Sequence, residues 1–396
     1  MKPLKINFLF AQVTSPSLIT GGDVRGKIIA DFFKKDSNFK VQIITPKISK
    51  NYFKNHSKVI IGNNFLEKII NRQTLFTSFL IFIIRTIELT FNLNKIKTDI
   101  IYCTGDFFCN TIPSFFLKII YPQTKFIVCI HHVNDNPFKR KSNSFLANTI
   151  SYFVQRFSFL LIKLKADTIF VVNQQVKKYL IQKNFHQPII ISGNGLDIKT
   201  IQSQINSLNK IKPTNHIAYF GRLSPTKGSL DLPIILSKIL KKYPDYHLDM
   251  VGIALPEIKK PLIQKFNQFN CQNHYTIHGF IENKLKVFKI LLKSKAIIFP
   301  SYEEGWGISL FESIMIKRPV VAYNLPIFKE IFNKKLSTAP IGNINIISQK
   351  IINFIKNYNQ VSTQKYMKHC CSIAQQYDWE NVFLKENNSI INLLKK

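Results

Sequence analysis

Two glutamates eight residues apart, Glu304 and Glu312, stand in "SYEEGWGISLFESIMIKRPVVAY", and their surroundings ask for different partners. Glu312 has Ile308 four residues before it and Met315 and Ile316 three and four after it. On a helix these positions share a face, so the carboxylate lies against apolar surface. An ionised carboxylate buried there without a partner is costly. The two hydroxyls of a ribose would satisfy both of its oxygens; an ion pair with Arg318, or a bend of the stem into solvent, are the alternatives. Glu304 sits in the loop before the helix and reads as the more exposed of the two, placed to accept from hydroxyls of a transferred sugar. Adjacent Glu303 reads as a surface residue.

Upstream, "GRLSPTKGSLDLPIILSKIL" sets Arg222 and Lys227 five residues apart between Gly221 and Gly228. Both cations could offset the charge of a diphosphate, arginine through its planar fork and lysine as a point charge. A turn carrying two solvated cations is the plainer reading. Gly305 and Gly307 loosen the backbone until a helix starts near Ile308, and the unpaired N–H groups of a helix start suit an anion.

The elements around these residues alternate throughout the chain. Short apolar runs at 5–11, 40–46, 99–103, 125–130, 167–172 and 188–192 read as strands covered on both faces, with room for crossover helices between them. A second series follows at 216–221, 247–252, 275–279, 296–301 and 319–323. Between them "NSLNKIKPTNH" is polar and carries a proline, so it reads as a linker near residue 205. The pattern predicts an α/β protein of two doubly wound Rossmann-like domains facing across a cleft: residues 1–204, 205–375, and a terminal segment 376–396.

Length and composition agree with two cores: 396 residues, 45% apolar, 34 of them Phe. The six cysteines show no CxxC spacing and read as buried or incidental thiols in a reducing compartment, neither a disulfide framework nor a zinc site. Fifty-five Lys and Arg against 22 Asp and Glu leave a formal charge of +33, a surface that favours polyanions. The cations are spread along the chain without an arginine-rich arm or zinc-finger spacing, so nucleic acid is not the expected partner. An anionic membrane surface, or simple compositional bias towards lysine, remain as readings of the charge. "TLFTSFLIFII" (74–84) is about half the length of a bilayer span and reads as a core helix; "FSFLLIKLK" (157–165) is shorter and interrupted by Lys163. The N-terminus lacks a convincing cleavage site. The expected location is cytoplasmic, with peripheral attachment to the membrane face left open.

These motifs resemble the retaining glycosyltransferases of the GT-B fold, specifically the large GT4, or group 1, family. Its C-terminal signature, a glutamate, seven residues and a second glutamate, stands here as "EGWGISLFE", and its arginine–lysine loop as "GRLSPTKG". The resemblance implies a donor site of Gly221, Arg222, Lys227, Glu304, Gly305, Trp306, Gly307, Ile308 and Glu312, with a UDP- or GDP-sugar as donor substrate, no cofactor and no metal. "GGD" (Gly21, Gly22) resembles the family's N-terminal glycine loop. "CIHHVNDNP" resembles its histidine segment, with His131 favoured over His132 because it follows the strand directly. "YDWENVF" resembles the helical region that returns to the first domain. The implied reaction moves a sugar with retention to a glycan or lipid-linked saccharide, as in cell-envelope polysaccharide or glycolipid synthesis. Arg318 stands where relatives often have Gly, and Ile308-Ser309 where many have Leu-Pro. A basic membrane-surface scaffold that kept the fold, and a nucleotide-sugar epimerase, are the alternatives.

Overall fold

The computed structural model describes residues 3–14, 20–62, 75–138, 145–254 and 256–395. They form two units. The first runs through Gly195 and is completed by the chain from Trp379 onward; the second is Leu196–Asp378.

The first unit is built on seven strands: β1 (Leu4–Leu9), β2 (Phe39–Pro46), β3 (Ser57–Ile61), β4 (Ile100–Cys103), β5 (Lys125–Ile130), β6 (Thr168–Val171) and β7 (Ile189–Ile191). All pair in parallel, in the order β3-β2-β1-β4-β5-β6-β7. The second unit carries β8 (His216–Phe220), β9 (His247–Val251), β10 (Tyr275–Gly279), β11 (Ser294–Phe299), β12 (Val320–Tyr323) and β13 (Ser337–Ala339). These too are parallel, in the order β10-β9-β8-β11-β12-β13. Both sheets are the doubly wound, Rossmann-like α/β kind that the apolar runs predict. The strands absent from the sequence reading, β3 and β13, are both sheet edges. An edge strand is short and half-covered, so it lacks the continuous apolar run that marks its central neighbours.

Strand order reverses between β1 and β4 in one sheet and between β8 and β11 in the other. At such a switch point the loops leaving adjacent strands diverge to opposite faces and leave a crevice beyond the strand ends. The candidate residues of the second unit lie on and just after the loops leaving β8 and β11, and in the first unit Gly21 and Gly22 follow β1 while His131 and His132 follow the neighbouring β5.

The division between units falls nine residues earlier than the polar linker suggests. Helix Ile198–Ser207 packs on helices Lys284–Leu291 and Ile308–Met315 of the second unit, so "NSLNKIKPTNH" is a helix-to-strand connection inside that unit. Residues 376–378 also belong to the second unit, and the return begins at Trp379. Helix Trp379–Leu394 then packs on helix Gly21–Lys35, Phe383 stacking on Phe32 at 5.2 Å and meeting Phe33 edge-on at 5.0 Å. Buried Arg25 closes the contact, bonding Glu386, Tyr102 Oη (3.1 Å) and Ser192 Oγ (2.7 Å).

All six cysteines are buried and free, and burial pushes the Cys103 and Cys129 thiols up to about 12, far from reactivity. The run at 74–84 lies in helix Leu75–Phe91, apart from Thr74, which is outside the described residues; from Thr77 to Ile84 it is half-buried. Among the described residues one helix, Phe145–Lys165, is long and apolar enough to cross a membrane by length and composition. It contains the 157–165 run as its C-terminal part.

Candidate functional site

In the second unit the loops leaving β8 and β11 are sewn together. Tyr302 N–H donates to the Thr226 carbonyl at 2.9 Å. Gly228 has a φ of +68°, and a Cβ there would sit 1.9 Å from the Pro300 carbonyl oxygen, so no side chain fits where the loops cross. The crossing brings Lys227 to Glu304: Nζ lies 2.8 Å from Glu304 Oε1 and donates to the Glu303 carbonyl at 2.9 Å. Ser301 Oγ donates to the same Glu304 oxygen at 3.0 Å. Glu304 is therefore not the exposed loop residue that the sequence suggests; its side chain is 9% exposed and paired with Lys227. Tyr302 and Tyr323 both donate to Asp231 Oδ2, at 2.6 and 2.8 Å, which braces this loop against the start of helix Leu232–Leu240.

Arg222 is exposed where the chain leaves β8, and its carbonyl accepts from Tyr219 Oη at 2.8 Å. Helix Ile308–Met315 starts beside it: Gly307 is the N-cap with a φ of +94°, and a Cβ on Gly221 would come within 3.7 Å of Ser309 Oγ. The helix start after Gly307 is where the loop glycines place it. Trp306, expected among the donor ligands, turns its indole inward. It stacks on Phe311 at 5.4 Å and meets Tyr377 edge-on at 5.1 Å, 5% exposed, so only its backbone is left for a ligand.

Glu312 has the partner its apolar setting demands, and neither sequence alternative supplies it. Lys284 Nζ donates to both carboxylate oxygens, at 2.8 and 2.7 Å. Arg318 instead donates through Nε and Nη2 to the Leu292 carbonyl, at 3.2 and 2.6 Å. Lys284 also lies over the Phe220 ring at 5.0 Å, so the pair adjoins the β8 exit. Its side chain is 46% exposed, which makes it a solvent-side cover over the carboxylate. Lysines are too common in this chain for Lys284 to announce itself.

The first unit has its own cluster at the β1/β4/β5 strand ends. Gly21 and Gly22 are not loop residues; they are the first turn of helix Gly21–Lys35, capped by Thr20, with Asp23 completing a capping box. A Cβ on Gly22 would sit 3.0 Å from His131 Nε2, so this glycine lets the helix start approach the imidazole. His131 Nε2 donates to the Thr104 carbonyl at 2.7 Å, leaving Nδ1 as its acceptor. Burial, with Arg25 nearby, holds its pKa below 6.5, so the ring is neutral. His132 is held through its backbone: Gln155 Nε2 donates to its carbonyl at 2.8 Å and to Asp106 Oδ2 at 2.7 Å. Burial raises the Asp106 carboxyl above its usual range. Neither Asp106 nor Gln155 was singled out in the sequence. The signal for Asp106 was its place three residues past a central strand; Gln155, inside an apolar helix, had none.

His131 and His132 thus belong to the first unit, and the remaining expected ligands, apart from Gly21 and Gly22, to the second. Among the described residues no three His, Cys, Asp or Glu side chains converge as metal ligands.

Residues 200–369 match the family described as "Glycosyl transferases group 1". An uncharacterized glycosyltransferase of Methanocaldococcus jannaschii is 29% identical over 307 residues, 73% of each chain. The poly(ribitol-phosphate) alpha-N-acetylglucosaminyltransferase of Staphylococcus aureus is 25% identical over 175 residues, 43% of this chain and 34% of that one. Among solved structures, Anabaena HepE in complex with UDP-glucose superposes with a TM-score of 0.75 at 17% identity, covering 98% of this chain and all of that one. The fold is the GT-B fold seen in these structural neighbours, and residues 200–369 are similar to the group 1 glycosyl transferases.

Proposed function

We propose that the protein is a retaining GT4-type glycosyltransferase that moves a sugar from a UDP- or GDP-sugar to a hydroxyl of a glycan or glycolipid acceptor. The observation that carries this reading is the Lys227–Glu304 pair, set at the crossing of two loops beside the N-terminus of helix Ile308–Met315. When the glycosidic bond of such a donor breaks, negative charge grows on the leaving diphosphate. Lys227, Arg222 and the free N–H groups at the helix start are cationic or dipolar groups fixed before the reaction, so they favour the charged transition state over the ground state. Glu304, already bonded to Lys227, would take the hydroxyls of the transferred sugar, and Glu312 those of the ribose once Lys284 shifts to one side of it.

Glu304 and Glu312 do not act as a glycosidase pair in this scheme, because one is committed to the nucleotide. Retention is assigned to a front-face route, in which an oxygen of the departing phosphate takes the proton of the acceptor hydroxyl. Support for the donor class comes from HepE, solved with UDP-glucose, and from the sugar-transferring relatives.

The test is a screen of nucleotide sugars for slow donor hydrolysis, followed by acceptor trials with the donor that reacts. Lys227→Ala is expected to lower turnover about 10²–10³-fold, the loss typical of one fixed charge-stabilising donor. A chain that hydrolyses no nucleotide sugar and binds no nucleotide is a scaffold, and wild-type turnover in Lys227→Ala removes the phosphate role.

A further inference from the structure

Helix Phe145–Lys165 is built inside out. Its buried side is mixed, carrying Asn148, Gln155 and Ser158 beside Phe159, Leu161 and Ile162. Its outer side carries Leu146, Ile150, Phe153, Phe157, Leu160 and Leu164, exposed by 38 to 69%. The spacing of these six is four, three, four, three, four, so they form one unbroken stripe along the helix. An ordinary surface helix places these two sets the other way round.

The neighbouring helix extends the stripe. Phe108–Ile120 packs on the same side of the first sheet and is joined to the inverted helix through Thr111 Oγ1–Ser158 Oγ at 3.2 Å. Its outward positions are again apolar: Phe116, Ile119 and Ile120, 41 to 56% exposed. Apolar surface of this extent on two adjacent helices marks an interaction face.

Charge decides between occupants. The inverted helix contains Arg156, Lys163 and Lys165 and no acidic residue. Two copies of a +33 chain meeting here would repel each other, whereas an anionic bilayer attracts the chain and accepts the stripe among its acyl chains. A crossing orientation does not fit, because Gln155 is bonded inside the unit to Asp106, the His132 carbonyl and Asn134 N–H. We infer that the outer face of helices Phe145–Lys165 and Phe108–Ile120 is a docking surface for anionic lipid, lying on the bilayer without spanning it. On the inner side of the same helix Gln155 bonds the His132 carbonyl, so docking would hold still the element that braces the candidate acceptor-side segment. The docking itself goes beyond the glycosyltransferase reading and does not depend on it.

The test is sedimentation of the full chain with vesicles of phosphatidylcholine alone, or with roughly a third phosphatidylglycerol. Binding is expected only to the anionic vesicles. Phe153→Glu/Phe157→Glu, and separately Leu146→Ser/Leu164→Ser, are expected to weaken it at least about tenfold, with nucleotide affinity unchanged. Equal binding to neutral vesicles, or full binding by either folded variant, overturns the proposal. So does a wild-type dimer that the substitutions dissolve, since the face would then belong to a second copy. If neither variant folds, a photoactivatable anionic lipid decides on the wild-type chain: crosslinks within 145–165 support the docking face, and crosslinks confined elsewhere sink it.

Discussion

Glu312 is a buried carboxylate whose partner reaches it from the solvent side. Its side chain is 11% exposed, a burial that an unpaired charge would not tolerate, and that partner, Lys284, meets both oxygens. A pair with so exposed a lysine contributes at most about 1 kcal/mol, so it covers the carboxylate without locking it. Glu312→Gln is therefore expected to weaken nucleotide binding at least about tenfold, the cost of one charge-assisted hydrogen bond to a hydroxyl. Lys284→Ala is expected to leave affinity unchanged or raise it, with little effect on Tm. Calorimetric titration of both variants with UDP and GDP checks this; weaker binding in Lys284→Ala would show that the lysine itself serves the ligand. His131 makes a second prediction at the same level. Because its folded pKa lies below 6.5, the unfolded chain takes up the proton first, and stability is lost as pH falls through 6.5 towards the folded value. Above pH 6.5 this contribution is complete and flat. Denaturant unfolding of His131→Gln across that window is expected to show a shallower acid loss than the wild-type chain.

Helix Trp379–Leu394 is the element on which the first unit depends. Arg25 and Glu386 are both essentially excluded from water, at 1% and 0% exposure, and each relies on the other. The arginine spends its remaining donors on Tyr102, Ser192 and the Gly193 carbonyl, while Glu386 takes a second bond from Tyr102 Oη at 2.8 Å. Glu386→Ala leaves a guanidinium buried without its counter-charge, which is expected to cost about 3–5 kcal/mol. Thermal or denaturant unfolding should show that loss in the transition of the first unit, with nucleotide binding by the second retained. A neutral result would mean that water reaches Arg25. The candidate donor site rests on a different kind of element: two loops and a helix start, tied by the Lys227–Glu304 ion pair, the bonds from Lys227 to the Glu303 carbonyl and from Tyr302 N–H to the Thr226 carbonyl, and a glycine crossing.

The chain order of the two units differs, and the molecule should unfold accordingly. Residues 196–378 are contiguous, whereas the first unit needs both ends of the chain. A chain stopped after Asp378 is expected to lose the upper part of the first unit's stability and keep nucleotide affinity in the second, a split that calorimetry and ligand titration together resolve. Loss of both would show that the second unit needs the first to fold.

Much of this was legible from residue order. Apolar runs with helical stretches between them announce parallel sheets because a strand covered on both faces has no polar side to show. The loop glycines and the eight-residue glutamate spacing located the candidate donor site for the same reason: backbone shape and helix start are local properties. Pairing was not local. Lys284 reaches Glu312 across 28 residues, Gln155 reaches Asp106 across 49, and Glu386 reaches Arg25 across 361, each from helices whose own composition gives no sign of it. Which side of helix Phe145–Lys165 faces out was likewise undecidable beforehand, since periodicity identifies an apolar stripe but not what it covers. Only the packed unit, by claiming the side that carries Asn148, Gln155 and Ser158 with Phe159, Leu161 and Ile162, left the second apolar stripe facing outward.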